Sequence, residues 1–170
     1  LLSPGTDGDT IQYDSSESTG LKTVANARVI HKDVDSQTVT STTSETTVYT
    51  LSIPANVLGT SNMLRFTVPF NATTGASNDL WTFRLKYGAT TISSLQIQPD
   101  GGGQVAGFGD ITFDMWNTGT TNSQEGIGWL NFATTIGNLN SSAPNNSGTA
   151  TEDSTGALNL VLTCQPNDTV

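Results

Sequence analysis

The sequence predicts an all-β fold: a jelly-roll β-sandwich of about eight strands with an irregular N-terminal strap. Three observations carry that expectation. Of 170 residues, 29 are Thr and 17 are Ser; Thr suits a pleated strand, whereas Thr, Ser, Asn and Gly all cost energy in a helix. Apolar residues recur with a period of two, most clearly at Trp81, Phe83, Leu85 and Tyr87, with Thr82, Arg84 and Lys86 between them. Turn chemistry separates such stretches, as at Gly88-Ala89 and Pro99-Asp100-Gly101-Gly102-Gly103. A chain of 170 residues is long enough to bury a core without disulfide or metal staples.

Residues 1–25 read as a linker or strap, and residues 26–170 as the sandwich. Pro4-Gly5-Thr6-Asp7-Gly8-Asp9 is turn-forming, and Asp14 to Gly20 is polar. Ile11 and Tyr13 are the interior apolar anchors of that segment, too few to repay its ordering entropy unless it packs on a neighbour. Strands are then expected over Ala27 to His31 and over Thr46 to Ile53, the latter ending at Pro54. Met63 to Phe70 follows, with Leu64, Phe66, Val68 and Phe70 on one face. Leu80 to Tyr87 turns through Gly88-Ala89 into Thr90 to Gln98. Gln104 to Asn117 places Ile111, Phe113 and Met115 on one side, and Gly126 to Ile136 and Ala157 to Cys164 complete the set. Gly137 to Gly156, rich in Asn, Ser and Thr, is expected as a polar loop. Two sheets with Greek-key crossovers are the preferred arrangement; an immunoglobulin-like sandwich lacking its paired cysteines is the runner-up. No internal repeat suggests a propeller or solenoid.

Composition removes several function classes. Fifteen acids against six bases give a net charge of -9, the wrong sign for displacing counterions from nucleic-acid phosphates. One cysteine, Cys164, permits no intrachain disulfide and no cysteine-based zinc site. No apolar run approaches the ~20 residues of a membrane span, and no amphipathic helix with a basic face suggests surface attachment. The chain opens on Leu1-Leu2 with no signal peptide in view, which leads us to expect a piece of a longer or processed protein.

Residues able to carry chemistry are few. His31 is the single histidine; His31-Lys32-Asp33-Val34-Asp35-Ser36 contains triad letters, but adjacency in sequence does not assemble a triad, and no Gly-x-Ser-x-Gly elbow is present. His31 is expected at the surface. Asp110 and Asp114 share a strand face with Thr112, and the expectation is a solvated outer face rather than a glycosidase pair. Glu125, Glu152 and Asp153 are expected in turns or loops. Asp7-Gly8-Asp9 and Asp33-Val34-Asp35 lack the ligand spacing of a calcium loop, and Gly101-Gly102-Gly103 lacks the Lys-Ser/Thr of a phosphate loop. No catalytic residue, metal or cofactor is therefore expected. Cys164 reads as a small buried hydrophobe, and Trp81 as core. Trp116 lies opposite Ile111, Phe113 and Met115 in parity, and Trp129 shares parity with Ile127 against Leu130 and Phe132. Trp116 and Trp129 are thus the candidate ligand or subunit contacts, since an indole stacks on the apolar face of a sugar and a strand apolar on both faces is covered on both.

Two stretches carry a resemblance. Leu2-Ser3-Pro4-Gly5-Thr6-Asp7-Gly8-Asp9 through Asp14-Ser15 to Thr19-Gly20-Leu21-Lys22 resembles the linker segments of bacteriophage tail-fibre and related virion proteins, with Thr23 where that pattern has Trp. Thr46 to Thr60, containing Tyr49 and Ile53-Pro54-Ala55-Asn56-Val57-Leu58-Gly59, resembles the opening of phage-borne β-sandwich domains. Trp81-Thr82-Phe83-Arg84-Leu85-Lys86-Tyr87-Gly88-Ala89-Thr90 matches their continuation. The resemblance spans residues 1 to about 95 and transfers no catalytic residue. It implies a non-enzymatic phage virion structural protein: a trimeric fibre, head-fibre or capsid-decoration domain at the particle surface. Its implied partners are its own copies as a homotrimer, other capsid or tail proteins, and a host surface glycan, with no nucleic acid and no membrane insertion. The alternative is a carbohydrate-binding receptor module, and a weaker one a glycan hydrolase.

The strap yields a test. Burying an isoleucine contributes ~1.5–3 kcal/mol, enough to pin so short a segment, and Ile11→Asp puts an unpaired carboxylate in its place. We expect the variant to release residues 1–20 to limited proteolysis while the sandwich stays folded. Equal cleavage of wild type and variant would reduce the segment to a spacer.

Overall fold

The computed structural model describes residues 10–13, 21–24, 31–73, 80–97, 106–134 and 146–167, with backbone alone for 10–13, 21–24, 106 and 134. The chain divides into two compact units, Leu1–Ser36 and Gln37–Val170. In the first, β1 (Thr10–Tyr13) and β2 (Leu21–Val24) form an antiparallel hairpin with Ile11 opposite Thr23 and Tyr13 opposite Leu21. Where the sequence predicts an irregular strap, the chain thus satisfies part of its own backbone by pairing. The predicted burial of the Ile11 and Tyr13 side chains lies outside what is described, as do residues 27–30 of the expected strand at Ala27 to His31; His31 itself is not in a strand.

The second unit holds β3 (Thr46–Ile53), β4 (Met63–Thr73), β5 (Trp81–Tyr87), β6 (Thr90–Ile97), β7 (Ala106–Asn117), β8 (Gln124–Thr134), β9 (Asn146–Ala150) and β10 (Leu158–Pro166). They make two four-stranded antiparallel sheets, ordered β3-β10-β5-β6 and β4-β7-β8-β9. This is an all-β domain of sandwich type. In the first sheet the last strand inserts between the first and third. In the second, β7, β8 and β9 follow one another as a plain meander, with β4 added at the edge. Pro69 sits in β4, an edge strand, where its missing N–H leaves no ladder bond broken on the open side.

One strand appears where a loop is expected. Asn146-Ser147-Gly148-Thr149-Ala150 has no apolar periodicity, yet it pairs with Gln124 to Gly128 as β9. The edge of β8 recruits it, because unpaired backbone groups there would otherwise stand open.

Period-two alternation packs the two inner faces together. Tyr49 of β3 stacks on Phe66 of β4 at 5.8 Å between ring centroids, and Phe70 of β4 meets Phe83 of β5 at 5.2 Å. Phe70 and Phe132 lie parallel at 5.8 Å on either side of Gly109, their common neighbour on β7. A side chain at Gly109 would run into the backbone carbonyl of Asn131. At the opposite flank Ile92 of β6 presses against Gly126 of β8 and Gly148 of β9, where a Cβ would collide with it. Ser93 Oγ donates to the Asn146 carbonyl at 2.9 Å there, joining the two sheets edge to edge.

The end of the sandwich formed by the turn between β7 and β8 is tied by buried amides. Gln124 is 1% exposed. Its Nε2 donates to Asn117 Oδ1 (2.7 Å), to the Glu152 carbonyl (3.0 Å) and to the Thr121 carbonyl (3.2 Å), and its Oε1 accepts from the Glu152 N–H at 2.9 Å. Asn117 Nδ2 donates onward to Ser154 Oγ at 2.9 Å and to the Gly59 carbonyl. Gln124→Leu keeps the volume and orphans Asn117 Oδ1 and the Glu152 N–H, each costing ~1–3 kcal/mol when buried. We expect a loss of ~2–4 kcal/mol, read as a lower urea midpoint at unchanged m-value. A loss below ~0.5 kcal/mol, the size of an ordinary surface change, would show that the network is dispensable.

Candidate functional site

The two sheets present different outer faces. On β3-β10-β5-β6 the segment entering β3 folds across the sheet as a polar cover. Glu45 accepts from Thr163 Oγ1 at 2.8 Å, pairs with Arg84 at 3.3 Å and with Lys86, and the Thr43 carbonyl accepts from Gln165 Nε2 at 3.2 Å. Beside it lies an open depression of about 390 Å³ lined by Thr43, Thr82, Gln165, Pro166 and Asn167. It has neither aromatic nor charged lining and offers little to a ligand.

Among the described residues, no segment is bonded across the outer face of β4-β7-β8-β9 in this way. Alternation along β7 sends Ile111, Phe113 and Met115 inward and Asp110, Thr112, Asp114 and Trp116 outward. Register sets the rows: Met63, Trp116, Glu125 and Thr149; then Arg65, Asp114, Ile127 and Ser147; then Thr67, Thr112 and Trp129; then Pro69, Asp110 and Asn131. Trp116 and Trp129 are partly exposed, Met63 is 56% exposed, and Phe108 near the far end of β7 is 64% exposed. The two candidate contacts therefore lie on one face, two rows apart.

The polar groups of this face are already engaged with one another. Arg65 Nε and Nη2 donate to the two Asp114 oxygens, each at 2.7 Å. Asp114 lies on the expected face but is not solvated there: the ion pair and its neighbours leave it 5% exposed, which corrects the sequence expectation. The Asp114 carboxylate, through that hydrogen bond first and its charge second, holds the Arg65 guanidinium above its ordinary pKa. Asn131 Nδ2 donates to both Asp110 oxygens at 3.2 and 3.4 Å. Thr67 and Thr112 share a hydroxyl bond at 3.2 Å. Sequence reasoning missed Arg65 and Asn131 because their roles depend on the pairing of β4 with β7 and β7 with β8.

The remaining candidates lie elsewhere. His31 is exposed, and Asp33 accepts the Asp35 N–H at 2.9 Å in a local turn. Glu152 accepts from the Ala89 N–H and Thr90 Oγ1 at 3.1 and 2.7 Å, bracing the turn between β5 and β6. Asp153 caps its own turn through Thr155, which lowers its pKa. Cys164 is buried, and burial pushes its thiol up to about 12. Trp81 is core, as read from parity. Asp7-Gly8-Asp9 and Gly101-Gly102-Gly103 lie outside the described residues. Among the described residues, no group of three or more His, Cys, Asp or Glu side chains is placed to hold a metal ion.

With this geometry in hand, comparison with known proteins finds no matching family model, no matching curated protein and no matching solved structure.

The Glu45 cover predicts a pH dependence. Its hydrogen bonds from Lys86 and Thr163 lower the Glu45 pKa in the folded chain. A depressed folded pKa contributes stability that is present above the unfolded value and lost as pH falls through the folded one. We expect Glu45→Gln to melt below wild type at pH 7, with the gap closing under about pH 4. A gap that is constant with pH would mean the carboxylate charge contributes nothing.

Proposed function

We propose that this domain is a non-enzymatic component of a bacteriophage particle, of fibre or capsid-decoration type, acting in assembly or host attachment through the outer face of the β4-β7-β8-β9 sheet. The observation that carries the reading is that face. It combines Trp116, Trp129, Met63 and Phe108 with polar groups that are bonded to each other. Apolar surface of this kind on a sheet otherwise rich in Thr and Asn is the mark of a contact surface.

Carboxylate spacing supports the non-catalytic part. Asp110 and Asp114 are four residues apart on one extended strand, so their Cα atoms are about 14 Å apart. Glycosidase carboxyl pairs sit about 5–9.5 Å apart, and both Asp114 oxygens are held by Arg65. A glycan hydrolase fits this arrangement poorly. The particle assignment rests on the motif resemblance of residues 1 to about 95. The jelly-roll form of the sandwich draws its support from the insertion of β10 between β3 and β5. A homotrimer is the assembly that the fibre resemblance implies. The carbohydrate-binding alternative is favoured by the two outward, partly exposed indoles.

The test is location and mass. Gold-labelled antibody raised against residues 37–170 should decorate the surface of intact particles that carry the chain, and light scattering should give three chains per particle of soluble domain. Incubation with host capsule, lipopolysaccharide or peptidoglycan should release no reducing ends. A monomer at micromolar concentration overturns the trimer, and unlabelled particles overturn the assignment to the virion surface. Glycan release that Asp110→Asn or Asp114→Asn abolishes overturns the non-enzymatic reading.

A further inference from the structure

Between Trp116 and Trp129 the outer face presents a fixed order of chemistry. Trp129 stands opposite Thr112, and Trp116 is four residues further along β7, about 14 Å away on an extended strand. The row between them holds Arg65 on its buried carboxylate, Asp114. That bidentate bond fixes the guanidinium and uses two of the five N–H donors an arginine carries. The side chain stays 61% exposed, so the others face solvent. One row beyond Trp129, Asp110 holds acceptor capacity fixed in place by Asn131.

We propose that this strip binds a neutral, linear oligosaccharide laid along β7 and β8, long enough to span both indoles. The inference rests on the reading of this face as a contact surface and names its ligand. Each indole offers an apolar plane to the C–H face of a pyranose. Arg65 donates to ring and hydroxyl oxygens between the two rings, and Asp110 accepts from hydroxyls at one end. Charge selects the class of glycan. Arg65 is neutralised by Asp114, which leaves Asp110 and Glu125 as the uncompensated charges of the face, on a chain of net charge -9. Uronates, sialates and phosphorylated sugars are repelled. A second copy docked face to face sets one acidic surface against another, which disfavours self-pairing here. A flat sheet with its groups in line suits a chain lying along it rather than a single sugar held end-on.

The experiment is titration calorimetry of the domain with cellohexaose, maltohexaose, isomaltohexaose, mannohexaose and N-acetylchitohexaose, with polygalacturonate as the anionic probe. At least one neutral hexasaccharide should bind saturably and polygalacturonate should not. Trp116→Ala and Trp129→Ala should each weaken that binding about tenfold or more, with Trp116→Phe and Trp129→Phe retaining most of it. Far-UV circular dichroism and the thermal midpoint check that each variant is folded, and Asp110→Asn provides a fold-neutral variant expected to weaken binding. Absence of saturable binding to all five neutral probes overturns the proposal. So does binding unchanged by the tryptophan substitutions, or preference for polygalacturonate. An oligomer that dissociates on substitution of either tryptophan makes the face a subunit contact and overturns it as well. Failed glycan binding with labelled particles leaves the virion reading standing; glycan binding with unlabelled particles removes that reading alone.

Discussion

The bonds of Gln124 and Asn117 tie together every connection at one end of the sandwich. Asn117 and Gln124 close the turn between β7 and β8. Glu152 and Ser154, which they hold, belong to the link from β9 to β10. Through the Gly59 carbonyl the same amides reach the loop between β3 and β4, where Asn56 N–H donates to the Ser154 carbonyl. Through Glu152 they reach the turn between β5 and β6. Those four connections move the chain along or between sheets, and a buried amide left without partners in any of them would cost more than a typical hydrogen bond contributes. The register of both sheets is therefore set at this end and carried along the strands. The rows of the outer face, and hence the placing of Arg65 over Asp114, follow from it.

Close packing of the sheets makes a second constraint, met by glycine. Ile92 fits against β8 and β9 because Gly126 and Gly148 present no side chain, and the Phe132 ring lies where a side chain on Gly107 would stand. Interiors packed at crystal-like density have no slack for a methyl group at such points. The inner face of the β4-β7-β8-β9 sheet is committed to this fit. Its outward residues are the ones released from packing and available for contact.

Much of the fold is legible in the alternation itself. Thr46 to Ile53 and Trp81 to Tyr87 are strands to within a residue of their expected ends, because runs of β-branched and aromatic residues leave little choice. β9 is not legible, since Asn146 to Thr149 carry no apolar pattern and pair only because β8 offers an open edge. The β1-β2 hairpin is hidden for a similar reason: its strands are four residues each, separated by a polar run. At the outer face the outward parity of Trp116, Trp129 and Asp110 is readable, while the burial of Asp114 is not. Asp114 and Arg65 are 49 positions apart, and parity says which side a residue faces without saying what lies across from it. Strand order is the missing information, and it depends on long-range pairing that local pattern does not encode.

The contrast between the two outer faces bears on what the domain is for. Both carry arginine-carboxylate chemistry, but to different ends. Glu45 is delivered by the chain's own approach to β3, and it spends Arg84 and Lys86, two of six basic residues, on covering the sheet. Asp114 lies within the sheet and holds Arg65 from below, so that the guanidinium faces outward between two partly exposed indoles. An ion pair made only for stability gains nothing from burying one partner, because desolvation offsets the attraction. A buried carboxylate beneath an exposed guanidinium does something else: it fixes the orientation of the donors and cancels their charge. Preorganised donors without net charge favour neutral oxygen acceptors over anions. That is the physical reason the proposed ligand of this face is a neutral sugar chain.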